Sequence, residues 1–146
     1  MKTQSFTTTL EVKQSAHEVF DAICNVKGWW QGVIKGKSKK LGDEFTYNMK
    51  PFHYSKQKLV EVVPDKKIVW LVTDSKLNFI EDKEEWTGTK ISFEISEKNG
   101  KTKLVFTHHG LAPKIECYEA CSGGWTMLIQ KSLLSLITTG KGKKVF

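Results

Sequence analysis

The chain has 146 residues, 39% of them hydrophobic and 11% aromatic, which is enough to bury a core in a single domain spanning 1–146 and excludes a disordered class. Its net charge of +7 comes from 23 lysines with no arginine, so the planar fork that reads guanine edges is missing, which argues against a specific nucleic-acid reader. Three cysteines, Cys24, Cys117 and Cys121, and no apolar stretch behind Met1 predict reduced thiols and a cytoplasmic location, and apolar runs such as 68–72 are too short for a membrane span.

Phe6, Thr8, Leu10 and Val12 alternate with polar neighbours, which predicts a first strand with one buried face. Ser15 and Glu18 form a capping-box pair ahead of Val19, Phe20, Ile23 and Cys24, so a helix begins there, with Gly28 as its stop and Cys24 on its apolar face. Trp29 and Trp30 follow in a turn or a second helical turn. Residues 35–42, rich in lysine and glycine, read as loop. Phe45, Tyr47 and Met49 alternate in a second strand, which Pro51 ends. Residues 56–63 form a third strand closed by the turn pair Pro64-Asp65, and 68–73 a fourth. A short strand around 77–80 and an acidic turn (Glu81, Asp82, Glu84, Glu85) come next. Ile91, Phe93 and Ile95 alternate, Asn99-Gly100 signals a hairpin, and Leu104, Phe106 and His108 share one face of the last strand.

After Gly110 and Pro113 the period changes to that of a helix. Tyr118, Cys121, Ser122, Trp125, Leu128, Ile129, Ser132, Leu133 and Leu136 fall on one side of a long C-terminal helix, with Gly140 and Gly142 just beyond it. Strand, helices, a run of five or six antiparallel strands and one long helix mean an α+β fold in which a curved antiparallel sheet wraps that helix. Gly123-Gly124 inside the helix fits either close packing or a bend that opens a pocket.

Taken together the segments resemble the START-related (SRPBCC) superfamily, in the group named after activators of the Hsp-type chaperone ATPase. The resemblance rests on Ser15-Ala16-His17-Glu18-Val19-Phe20, Gly28-Trp29-Trp30, Leu41-Gly42-Asp43-Glu44-Phe45, Glu85-Trp86-Thr87-Gly88-Thr89, the stretch from Leu104 to Leu111, and Gly124-Trp125 followed by Leu128, Leu133 and Ile137. It implies the helix-grip (START-like) fold with an internal cavity between sheet and helix. It also implies binding of a hydrophobic or amphipathic small molecule, or work as a chaperone accessory protein.

The residues expected to line that cavity are Trp29, Trp30, Phe45, Tyr47, Trp70, Phe93, His108, Tyr118, Cys121 and Trp125, because pockets are walled by aromatics with a few polar groups among them. His108 shares the face of Leu104 and Phe106 and therefore points inward. It is either a core histidine bonded to the backbone or the group that orients a ligand's polar end. Trp29 and Trp30 are expected at the cavity mouth, one of them as a lid, since two adjacent tryptophans are hard to bury in one turn. Cys117 and Cys121 lie four apart on a helix flank, but one pair without a second does not make a zinc site. No cofactor-binding pattern, catalytic triad order, nucleotide loop or metalloprotease helix is present. The expected partners are a hydrophobic small molecule and, through the lysine-rich surface, a chaperone, with the chain a monomer or homodimer. Ligand binding ranks first, the accessory role second, and a cyclase- or hydrolase-like enzyme third.

Overall fold

A computed structural model describes residues 5–30, 33–49, 53–77, 87–109 and 125–142. The elements in chain order are β1 (Ser5–Val12), α1 (Ala16–Cys24), α2 (Val26–Trp29), β2 (Val33–Gly36), β3 (Glu44–Met49), β4 (His53–Val63), β5 (Lys67–Leu77), β6 (Lys90–Lys98) and β7 (Lys101–His109). The C-terminal helix is helical from Trp125, runs through a π-helical segment, Leu128–Leu133, and ends as α3 (Leu134–Thr139). The seven strands form one antiparallel sheet in the order β1-β7-β6-β5-β4-β3-β2, so all neighbours but β1 and β7 are joined sequentially. This curved sheet with its C-terminal helix is the helix-grip fold the sequence predicts.

The local signals explain most of the boundaries. Ser15 Oγ accepts from Glu18 N while Glu18 reaches back to Ser15 N, which closes the capping box at α1. The β6–β7 hairpin turns at Asn99 (φ 56°) and Gly100 (φ 77°), both left-handed as a two-residue turn requires. Gly140 takes the left-handed conformation (φ 83°) that terminates α3, its N–H donating to Leu136 O.

Several expectations are corrected. Lys35 and Gly36, read as the start of the 35–42 loop, belong to the edge strand β2 (Val33–Gly36), whose partner β3 supplies the hydrogen bonds that its own sequence does not announce. Gly28 does not stop a helix. Helix α1 ends at Cys24, and Gly28 lies inside α2 where that turn meets the C-terminal helix. A Cβ on Gly28 would sit 3.0 Å from Leu136 Cδ2, and one on Gly142 would overlap Gly28 O, so the small residues permit close approach. Cys24 is only half-buried, and its thiol is pushed up to about 11, first by burial and then by the Asp21 carboxylate. The C-terminal helix is not uniformly α: six residues widen into a π-helix, where Leu128, Ile129, Ser132 and Leu133 are all buried. Ser132 Oγ donates to Trp29 O at 2.7 Å, and Gln130 Nε2 donates to Thr8 Oγ1 and Thr9 O on β1, both at 2.8 Å. Side chains on both flanks of the widened turn therefore find partners.

The core is an aromatic stack on the inner face of the sheet. Trp29 lies 6.3 Å from Trp70, and Trp30 lies 6.0 Å from Trp70 and 4.2 Å from Tyr47, all with near-parallel rings. Phe45 and Phe93 close edge-on against Trp70 at 4.9 and 4.8 Å. Such pairs add about 0.5–1.5 kcal/mol each beyond their buried area. Replacing Trp30 by alanine therefore removes several contacts at once, and urea denaturation should register a loss of about 3–5 kcal/mol, with Trp30→Phe losing less.

Candidate functional site

The inner face of the sheet has two chemically different ends. Toward the α1 end it presents Leu10, Val12, Ile95 and Leu104, all buried and apolar. Toward the other end it presents Ser55 and Gln57 on β4, Ser75 on β5 and His108 on β7, each fully buried. Thr87 and Thr89, just ahead of β6, join this polar end through hydrogen bonds to Ser75 and His108.

Strand alternation explains most of this wall. Ser55 and Gln57 are two apart and share a face with Leu59, while Tyr47, Ser55 and Ser75 stand side by side across β3, β4 and β5. Ser75 reaches the wall only because β5 is bulged. Trp70 and Val72 face inward, so strict alternation would bring Asp74 in next. Instead the register shifts opposite Lys56 and Gln57, Ser75 takes the buried position, and Asp74 turns aside to accept a hydrogen bond from Ser75 N at 2.9 Å. The bulge places a hydroxyl where a carboxylate would otherwise stand.

Two side chains hold His108 in place. Trp125 Nε1, which can only donate, lies 3.1 Å from His108 Nδ1. Nδ1 is therefore the acceptor and Nε2 carries the proton, which it donates to Thr89 Oγ1 at 2.8 Å. This fixes a neutral tautomer and ties β7, the approach to β6 and the C-terminal helix together. His109 faces the other way and meets Ser92 Oγ at 3.0 Å.

Among the described residues, two buried polar atoms of this wall have no hydrogen-bond partner. Gln57 Nε2 donates to Ser55 Oγ at 2.6 Å, but Gln57 Oε1 is unpartnered, and so is Trp70 Nε1. Trp70 pairs with Leu59 and Gln57 with Val72, so the two residues are diagonal neighbours across β4 and β5. An unsatisfied buried group costs about 1–3 kcal/mol, which a purely structural core avoids.

The expected lining residues are thus distributed as follows. Trp29, Trp30, Phe45, Tyr47, Trp70, Phe93, His108 and Trp125 converge on one inner face, with Trp125 5.1 Å from Trp30 and 4.8 Å from Phe106. Trp29 and Trp30 are not exposed at a mouth, and neither is free to act as a lid. They are 1% and 3% exposed, because α2 turns both rings onto the sheet and Trp29 Nε1 donates to Ile23 O at 3.3 Å. Tyr118, Cys121, Cys117, the glycine pair and the acidic turn lie outside the described residues. Ser55, Gln57 and Ser75 were not anticipated. For the first two the period-two spacing with Leu59 was a usable signal, whereas Ser75 is displaced by a bulge that has no sequence mark.

A second feature lies outside the sheet. A cleft of about 410 Å³ opens between the α1–α2 junction and the β2–β3 connection, rimmed by the exposed Lys27, Lys37, Lys39 and Lys40. Asp43 at its edge accepts from Lys39 N and Lys40 N, and these backbone bonds with the neighbouring lysines hold its carboxyl below the usual range. Among the described residues no cluster of side chains suits a metal ion, and no helix is long and apolar enough to cross a membrane.

The sequence matches the family described as activator of Hsp90 ATPase homolog 1-like protein over residues 13–137. The chain belongs to this family. A search of curated proteins finds no match. Among solved structures the fold is similar to the Aha1 dimer from Colwellia psychrerythraea, at 22% identity and a TM-score of 0.77, covering 95% of this chain and 99% of that one. It is also similar to DynU16, a protein of the dynemicin biosynthetic locus, at 13% identity and a TM-score of 0.69, covering 97% of this chain and 49% of that one. A third relative, CalU16 from Micromonospora echinospora, has 16% identity and a TM-score of 0.64, covering 94% of this chain and 78% of that one. At these identities the likeness is one of fold.

Two predictions follow from the geometry. Trp125→Phe keeps an aromatic side chain but removes the donor to His108 Nδ1 and part of the buried indole, and chemical denaturation should show a loss of at least about 1–3 kcal/mol. Tyr47 is pushed up to about 12, mainly by burial, with a smaller opposing effect from the Trp30 hydrogen bond. An unfolded tyrosine ionises near its ordinary value of 10.0, so the folded state retains the proton longer and stability is lost as pH rises from there toward about 12. The fall in the urea midpoint across that window should be smaller in Tyr47→Phe.

Proposed function

We propose that the protein binds a hydrophobic or amphipathic small molecule between the inner face of the sheet and the C-terminal helix. The observation that carries this reading is the buried polar end of an otherwise aromatic wall: Ser55, Gln57, Ser75 and His108 beside Trp30, Tyr47 and Trp70. An apolar wall supplies most of the affinity for such a ligand, and a few fixed polar groups orient it. Tyr118 and Cys121 would complete the lining from the C-terminal segment. The family and the likeness of fold to DynU16, a protein of the dynemicin biosynthetic locus, support a ligand-binding role.

The direct test is native mass spectrometry of protein purified from its own host, before and after organic extraction. A discrete mass that disappears on extraction is the expected result, and Trp125→Ala should lose it. Retention of that mass by Trp125→Ala, or protein that carries nothing at any stage, would count against this site.

A second reading rests on the lysine-rimmed cleft. Its four ammonium groups suit an acidic protein surface, and the family is named for a chaperone ATPase activator, so an accessory role would use this face. Replacing Lys37, Lys39 and Lys40 together by glutamate should abolish co-precipitation of a chaperone at low salt. Unchanged capture by the triple variant would remove this reading.

A further inference from the structure

We propose that Gln57 sets the specificity of the site described above, selecting a ligand whose buried polar end is uncharged and carries a hydrogen-bond donor, as a phenol or alcohol hydroxyl does. The inference rests on the small-molecule reading and adds to it the chemistry of the group that is recognised.

Three observations converge. First, Gln57 is fully buried and only one end of its amide is occupied. Nε2 donates to Ser55 Oγ, and Oε1 is an acceptor without a donor. Leucine or methionine would fill the same volume between Phe45, Leu59 and Val72 without that penalty, so the amide is retained against the interest of the fold alone. Second, the wall around it is neutral. Among the described residues no buried side chain is an acid or a lysine, and His108 is held in its neutral tautomer by the Trp125 N–H. A carboxylate or phosphate entering here would meet no cation among the described residues of the wall, and an orphaned carbonyl oxygen would repel it. Third, the β5 bulge turns Asp74 off the wall and Ser75 onto it, which excludes the one acid that alternation would have brought inside. An ammonium group thereby loses the counter-ion that strict alternation along β5 would have supplied. What remains complementary is a neutral group that donates to Gln57 Oε1, and a hydroxyl can at the same time accept from the unpartnered Trp70 Nε1 beside it.

The same geometry separates function from folding. If the amide oxygen waits for a ligand, Gln57→Leu should raise the melting temperature of the ligand-free protein by a few degrees, because it removes an unsatisfied polar atom. If a trapped water already satisfies the oxygen, Gln57→Leu lowers the melting temperature, and the proposal is overturned. Gln57→Met gives the same readout should the leucine variant fail to fold.

The selectivity arm uses calorimetric titration of the extracted protein with three probes sharing one ring system: 2-naphthol, 2-methoxynaphthalene and 2-naphthoate. The expected result is that 2-naphthol binds roughly tenfold tighter than either of the others, the worth of one buried hydrogen bond. Gln57→Leu should erase that margin while keeping affinity for 2-methoxynaphthalene. Equal affinities in the parent protein, or a margin that survives the substitution, would defeat the role of Gln57 and leave the pocket standing. Failure of all three probes to bind would defeat the pocket itself, and the inference with it.

Discussion

The stacking of Trp29 and Trp30 onto Trp70 is the constraint on which the rest of the molecule depends. The three rings join α2 to the middle of the sheet, and each is almost fully buried. Two adjacent side chains can both face inward because α2 is a single turn that leads straight into an extended residue at Trp30. Once the indoles are seated, the C-terminal helix has one place to lie. Ser132 donates to the carbonyl of Trp29, Trp125 packs on Trp30 and Phe106, and Gly28 and Gly142 allow the chain segments to touch.

Around that hub the sheet divides its labour. Under α1 it is apolar and stabilises the fold by ordinary burial. At the opposite end it carries hydroxyls, an amide and an imidazole in a setting where each uncompensated polar atom is costly. The network Thr89–His108–Trp125 is internally paired and fixes the proton on Nε2. The pair Ser55–Gln57 is only half paired. The contrast is informative, because both sit on the same face at the same depth. One arrangement holds the C-terminal helix to β7, and the other leaves an acceptor in reserve.

The exterior follows a separate logic. An all-lysine cationic surface attracts acidic surfaces through point charges and without the planar geometry that arginine would impose. A described cluster of four lysines rims the cleft beside β2.

Much of this architecture was legible in the amino-acid order. Alternation located β1, β3, β6 and β7, the Ser15–Glu18 pair started α1, Asn99-Gly100 closed a hairpin, and the inward turn of His108 followed from its parity with Leu104 and Phe106. These are local properties, and local chemistry decides them. The edge strand β2 was not legible, since its hydrogen bonds come from β3. Nor was the burial of Trp29 and Trp30, because it depends on a sheet assembled from residues far along the chain. The β5 bulge and the π-helical turn each shift a register by the demands of neighbours, and no period in a single segment records that. Sequence by itself determined the family, the fold class and an inward histidine. Only tertiary structure decided that Asp74 leaves the wall, that Ser75 replaces it, and that Gln57 is buried with half its amide unpaired, for these depend on contacts between strands rather than on any strand alone.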